Sequence, residues 1–339
     1  MKTTLSAVLI TKNESGVIER CIKSLAWMDE ILVYDTGSTD DTIAIAERAG
    51  ARVVKGEAMN PFHFAEARNR ATALAQGPWI LSMDADEVLR SGGLSKIRKV
   101  LEAPGNVTAW RLGFINRAAA GTISIPILKI KLFAKDAWTW KYRIHERLTP
   151  TREGDVADLP KAVIDHMPEP DKAARHGQNI GLLQLAIQEN PEYVKAYKHL
   201  GLELMLAKRF SEAVESLEHY IDHTDDDRLK KSRAMDHCGN CLAADGRLHS
   251  ALDMFERSAK IAPERRDPCY HAAIALIKAC RLDEAIGWIR RMMRVPLETR
   301  QNSPYDLPGL WRDEPARMLR FCEEQIAEAK KQYEARNRA

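Results

Sequence analysis

The N-terminal part of the chain is built from short apolar runs of strand length, each stopped by a polar loop and followed by apolar positions at helical spacing. Leu5–Ile10 is such a run; Thr11–Gly16 stops it, and Val17, Ile18, Cys21, Ile22 and Leu25 then recur on one helical face. The pattern repeats with Glu30–Tyr34, the polar stretch Asp35–Thr42, and the helical positions Ile43, Ala46 and Ala49. A third short strand, Ala51–Lys55, leads through a loop to a helix carrying Phe64–Asn69, and Trp79–Met83 forms a further buried strand. Strands alternating with helices predict a mostly parallel, doubly wound sheet whose loops line up along one edge. Ligands collect at the carboxyl ends of strands in such sheets.

Near Pro168–Asp171 the period changes, and almost everything beyond is helical. An internal repeat appears there. Leu200–Gly201, Ala213 and Leu217 match Cys238–Gly239, Ala251 and Phe255, and Ala273, Ala285 and Ile289 suggest a third, more degenerate copy. Small residues at these offsets let paired helices approach closely, so that about three units stack into a short solenoid. The tail, Pro315–Ala339, reads as a charged amphipathic helix with Met318, Leu319, Phe321, Cys322 and Ile326 on a partial apolar face, placed to cap the open end.

Composition agrees with two domains: 339 residues exceed one ordinary core, and 45% hydrophobic content supports buried globular units. Met1–Thr4 precedes a strand directly and no apolar run approaches bilayer length, so a cytoplasmic protein without a leader is expected, with peripheral contact at the inner face of a membrane as an alternative. The six cysteines have no disulfide-framework density. Cys238 and Cys241 have Cys-x-x-Cys spacing without a second pair, which reads as buried thiols on a helix in a reducing compartment. The net charge of +3 decides little. The basic clusters Arg228–Lys231 and Arg290–Arg294 read as solvated helix faces, and no nucleic-acid motif accompanies them.

The chemistry starts at Asp84-Ala85-Asp86, which the apolar run Trp79–Met83 delivers to the end of a buried strand. Carboxylates packed against an apolar strand need a partner. A hard Mg²⁺ or Mn²⁺ ion suits an Asp-x-Asp pair, leaving further positions for water and phosphate. Four motifs in order, Ile10–Glu14, Asp35–Asp40, Ala67–Asn69 and Asp84–Glu87, resemble those of the glycosyltransferase family 2 domain. The resemblance implies a GT-A fold, α/β and Rossmann-like with a mostly parallel sheet, over residues 1–170. The helical region resembles tetratricopeptide repeats, giving an all-α domain with a linking helix over 171–190, repeats over 191–300 and capping helices over 301–339. In the linking helix the chain has Gln178-Asn179 where the family usually has Arg-Asn.

By this resemblance Thr11, Asn13 and Glu14 lie beside the nucleoside, with Ser38 and Asp40, and Asp35 contacts the uracil of a UDP-sugar. A strand-end carboxylate can accept the uracil N–H; an Asx-turn or helix cap is the plain structural alternative for Asp35, Ser38 and Asp40. Arg68 resembles a donor-side arginine that holds phosphate oxygens bidentately, against the alternative of pairing with Glu66 or Asp41. Asp84 and Ala85 face the donor, while Asp86 and His166 hold the divalent metal that would neutralise the leaving diphosphate. An inverting transfer also needs a carboxylate to take the acceptor proton. Glu146, in a His-Glu pair within Trp138–Leu148, is the candidate; Asp165 and Glu87 are alternatives, as is a structural ion pair of Glu146 with Arg143 or Arg147. The resemblance implies an acceptor that is a saccharide such as lipopolysaccharide core, or a peptide side chain. Sugar contacts are expected from variable loops around 56–66 and 106–127. A protein partner on the repeats and an oligomer stay open. Competing classes are a tetratricopeptide scaffold with an inactive nucleotide-binding domain, and a nucleotidyltransferase.

Overall fold

The computed structural model describes residues 4–117, 126–168, 179–296, 310 and 312–338. The chain divides into two compact units, Met1–Arg175 and His176–Ala339. The strand and helix segments read from the sequence are present in the first: β1 (Leu5–Thr11), α1 (Ile18–Ser24), β2 (Glu30–Asp35), α2 (Thr42–Arg48), β3 (Arg52–Lys55), α3 (Phe64–Leu74) and β4 (Trp79–Met83). β5 (Glu87–Leu89), α4 (Gly93–Leu101), β6 (Val107–Asn116), β7 (Ile127–Ala134), β8 (Trp138–Lys141), β9 (Arg147–Pro150) and β10 (Asp155–His166) complete it.

Eight strands form one sheet in the order β3-β2-β1-β4-β7-β6-β10-β5. The first four are parallel, as crossover helices require. β7 enters antiparallel between β4 and β6, and β10 then runs parallel to β6. The stretch 106–127, expected as a variable loop, is therefore corrected in its first part: residues 107–116 are an interior strand. Positions of both parities are buried in it, Ala109 and Ile115 as well as Trp110, Leu112 and Phe114, which suits a strand inside the sheet. The core of the sheet unit is largely apolar, with Leu5, Leu9, Ile18, Leu32, Ile80, Leu81 and Phe133 almost fully buried. The small sheet β8-β9 is a separate hairpin.

The second unit is helical: α5 (Ile180–Glu189), α6 (Val194–Leu206), α7 (Phe210–His223), α8 (Arg228–Ala244), α9 (Leu248–Ile261), α10 (Asp267–Lys278), α11 (Leu282–Arg294) and α12 (Glu314–Arg338). Helices α6 and α7, α8 and α9, and α10 and α11 pack as successive hairpins. The repeated glycines do the work expected of them. A Cβ on Gly201 would lie 2.6 Å from Leu217, and one on Gly239 would lie 2.5 Å from Phe255, the residues that match each other in the sequence repeat. Cys238 and Cys241 are buried thiols within α8. On α12 the side chains of Met318 and Cys322 are buried among residues of α10 and α11, whereas Phe321 is exposed, so the apolar face is narrower than expected. Part of the expected linking helix, including Gln178, lies outside the described residues. Among the described residues no helix is long and apolar enough to cross a membrane.

Candidate active site

The parallel register sets Thr11 opposite Asp35 at the carboxyl ends of β1 and β2. The two loops that follow are laced together. Asn13 N donates to Ser38 Oγ at 2.9 Å, Glu14 N to Thr42 Oγ1 at 2.7 Å, and Ser15 N to Asp40 Oδ2 at 3.2 Å. Thr39 N returns a bond to Asn13 Oδ1 at 2.8 Å, with Asn13 held left-handed at φ 56°. Asp35 is buried and closes an Asx turn, its Oδ1 accepting from Gly37 N and Ser38 N while Ser38 Oγ donates to Oδ2. Burial works to raise the Asp40 carboxyl, but hydrogen bonds from Thr42 and Ser15 outweigh it and bring it down to about 2. Thr11, Asn13, Glu14, Asp35, Ser38 and Asp40 are thus gathered in one rigid pair of loops.

The second group centres on Arg68, which α3 carries against the crevice with only 12% of its side chain exposed. Its Nε donates to Glu146 Oε1 at 2.6 Å and its Nη2 to Asp84 Oδ1 at 2.7 Å, so the guanidinium bridges residues far apart in the chain. It also lies over the Trp140 ring at 4.9 Å. Neighbouring Asn69 anchors β8 by exchanging both bonds with the Trp140 backbone at 2.9 Å. Phe64 N donates to the Arg143 carbonyl, and Tyr142 and His145 turn the chain at φ 75° and 52°. Non-glycine residues in that region cost energy and persist where the surroundings impose them. These contacts deliver Glu146 to Arg68, whereas Glu66 holds Arg70 at 2.8 Å.

Asp84 sits between two cations, because Lys131 of β7 approaches its Oδ2 at 3.6 Å while holding Glu87 at 2.6 and 2.7 Å. Burial opposes ionisation of Asp84, yet Lys131 and Arg68 keep its carboxyl far below the usual range. Burial, helped by the Asp84 charge, raises the Glu87 carboxyl above the usual range even though the Lys131 ammonium acts to lower it. Ala85 is buried, and Cys21 of α1 donates its thiol to the Asp84 carbonyl at 3.4 Å from below.

Asp86 meets His166 across β5 and β10, with Oδ2 and Nε2 3.2 Å apart. The other ring nitrogen, Nδ1, is 2.8 Å from Asn116 Oδ1, a contact that orients the ring with Nε2 toward Asp86. The hydrogen bond to Asp86 raises the His166 pKa, against the effect of burial. The donor atoms fit a small divalent cation, since adjacent ligands of an octahedral ion with about 2.1 Å bonds stand roughly 3 Å apart. Among the described residues no group of three or more His, Cys, Asp and Glu side chains converges, so this pair leaves most of a coordination shell to water and phosphate. The alternative bases are committed elsewhere: Asp165 is gripped by Arg90 and Arg117 at 2.8–2.9 Å, and Glu87 is 1% exposed on Lys131.

Sequence reasoning missed Lys131, Asn116 and the anchoring role of Asn69. For Lys131 a signal exists: a lysine inside the apolar run Ile127–Ala134 needs a buried anion, the same argument that singles out Asp84.

Residues 6–150 match the family model "Glycosyl transferase family 2". The chain is 40% identical over 101 residues to a TPR repeat-containing protein of Synechococcus elongatus, covering 30% of this chain and 25% of that protein. It is 44% identical over 87 residues to an uncharacterized glycosyltransferase of Rickettsia conorii, 25% of this chain and 29% of the relative. It is also 31% identical over 115 residues to the lipopolysaccharide core biosynthesis glycosyltransferase LpsC of Rhizobium meliloti, 33% of this chain and 42% of that enzyme. The chain thus spans 25–29% of the length of the first two curated relatives.

Proposed function

We propose that this chain, whose residues 6–150 are a family 2 glycosyltransferase domain, is an inverting, metal-dependent glycosyltransferase that moves a sugar from a UDP-sugar to a saccharide or peptide acceptor. The observation that carries the reading is the meeting of Arg68, Asp84 and Glu146 beside the Asp86–His166 pair. Chain segments distant in sequence bring two cation-bridged carboxylates and a metal-competent pair to the carboxyl end of β4. Saccharide acceptors are favoured by the similarity to a lipopolysaccharide core enzyme.

In this reading the laced loops after β1 and β2 form the uridine pocket. Rotation of the Ser38 hydroxyl frees an Asp35 oxygen to accept the uracil N–H. Asp84 faces the ribose or sugar. Arg68, pre-set by its two carboxylates, offers a planar donor fork to the diphosphate. Asp86 and His166 would hold the divalent cation, whose chemistry is to neutralise charge on the leaving diphosphate. Glu146 takes the acceptor proton as the acceptor attacks C1 from the face opposite the diphosphate. Once the Arg68 fork turns to phosphate, Glu146 loses its counter-charge and becomes the stronger base.

The test is UDP release from a panel of UDP-sugars, with and without Mn²⁺, for the native protein and Asp86→Ala. Slow metal-dependent hydrolysis of one donor, absent in the variant, supports the proposal and identifies the sugar. Turnover undiminished in Asp86→Ala sinks it.

A further inference from the structure

His166, Phe114 and two lysines form a row, with Lys131 buried and Lys129 exposed. The Phe114 ring stacks on His166 at 5.7 Å, and the ammonium of Lys129 rests on Phe114, 3.6 Å from the ring centroid, with Lys131 at 5.7 Å. The two lysines are two residues apart on β7 and so project from the same face of the sheet. Their surroundings differ. Lys131 is closed in on Glu87 and Asp84. Lys129 forms no ion pair with any carboxylate of the described residues, and the neighbouring stretch 118–125 contains no acidic residue.

This separates Lys129 from the other charged groups around it. Arg68 bridges Asp84 and Glu146, Arg90 and Arg117 share Asp165, and His166 has Asp86. Although Lys129 is exposed, desolvation of its ammonium and the nearby Lys131 lower its pKa, and the more distant charges of Glu87, Asp84 and Asp86 act the other way without cancelling this. An aromatic face fixes its position without neutralising it. A cation set on an aromatic ring beside a paired network, with no carboxylate in ion-pair contact among the described residues, is complementary to an anion that arrives with a ligand.

We infer that Lys129 is a phosphate-binding residue of this site, its ammonium donating to an anionic oxygen of a bound substrate on the β7 side of the Asp86–His166 pair. The inference rests on the glycosyltransferase reading for the identity of that substrate. Two sources supply such an oxygen: the diphosphate of the donor, or an anionic group on the acceptor.

Calorimetry on the full chain distinguishes them, using native protein, Lys129→Met, which keeps an unbranched stem on the ring, and Lys129→Arg, which keeps the charge. Probes are UDP, uridine, pyrophosphate, and inorganic phosphate added to UDP-saturated protein. A charge-assisted bond to phosphate predicts a loss of about tenfold or more in affinity. If UDP and pyrophosphate weaken by that amount in Lys129→Met while uridine does not, and Lys129→Arg restores them, the donor diphosphate is the partner. If UDP holds but inorganic phosphate no longer binds the UDP-saturated variant, the partner is the acceptor anion. Equal affinities of native protein and Lys129→Met for all of these anions overturn the inference while leaving the transferase reading intact. Lys129-dependent pyrophosphate binding without uridine or UDP selectivity does the reverse.

Discussion

Each unit of this protein buries a cluster of charges, and the two clusters are put to different uses. In the helical unit Arg265 ties Asp236 at 2.8 Å and Ser232 at 2.7 Å, Ser258 donates to Asp236 at 2.6 Å, and Asp267 lies 3.8 Å away. Every member is sealed; Arg265 and Asp236 are about 2% exposed. In the sheet unit Arg68, Asp84, Glu87, Lys131 and Glu146 are equally interlinked, but the Asp84 side chain is 39% exposed at the crevice. The closed cluster joins α8 and α9 to the segment entering α10 and has no access for a ligand. The open one arranges the same chemistry so that an incoming phosphate can exchange with a carboxylate. Buried charge alone therefore does not mark a site; charge buried on one side and reachable on the other does.

The sharpest test removes one partner from each. Arg265→Met strands two carboxylates in the closed cluster and is expected to cost about 3–5 kcal/mol of stability, read by denaturant unfolding, with nucleotide binding unchanged in the folded fraction. Arg68→Met is expected to reverse the signature, lowering sugar transfer by about 10²–10³-fold, with a smaller stability loss because water can reach Asp84. If both variants lose mainly stability, the distinction between the clusters fails. Gly239→Ala presses a methyl into Phe255 and should cost about 1–3 kcal/mol by melting, confined in hydrogen exchange to the repeats. The smallest effect is on pH. Burial and the nearby Arg233 and His271 lower His237 in α8 to about 4. Its folded pKa lies below the unfolded value of about 6.5, so the stability it permits is complete above that pH and is lost as pH falls toward 4. Melting at pH 7 and 4.5 should show about 1–2 kcal/mol of loss, flattened in His237→Phe.

Much of this was legible in the chain. Asp84 and Asp86 announce themselves because an apolar run carries them, and Gly201 and Gly239 because they recur with the partners they touch. What the sequence hid is non-local. Nothing local to β7 says that it slots antiparallel between β4 and β6, so residues 107–116 passed for a loop and Lys131 went unread. Glu146 has arginines at 143 and 147 for neighbours, yet its side chain meets Arg68, 78 positions away, because left-handed residues at 142 and 145 redirect the turn. Phe321 satisfied a helical period but lies just off the stripe that α11 covers.

The placement of β10 has a consequence for how the protein is made. This strand begins at residue 155, after the matched segment 6–150, yet it lies inside the sheet, hydrogen-bonded to β6 on one side and β5 on the other. A fragment cut at residue 150 would present two raw strand edges and lack His166, and it should aggregate rather than fold. On the ribosome the sheet unit likewise cannot close until that strand has emerged. The helical hairpins behind it, whose contacts are mostly between sequence neighbours, can fold almost as fast as they are synthesised.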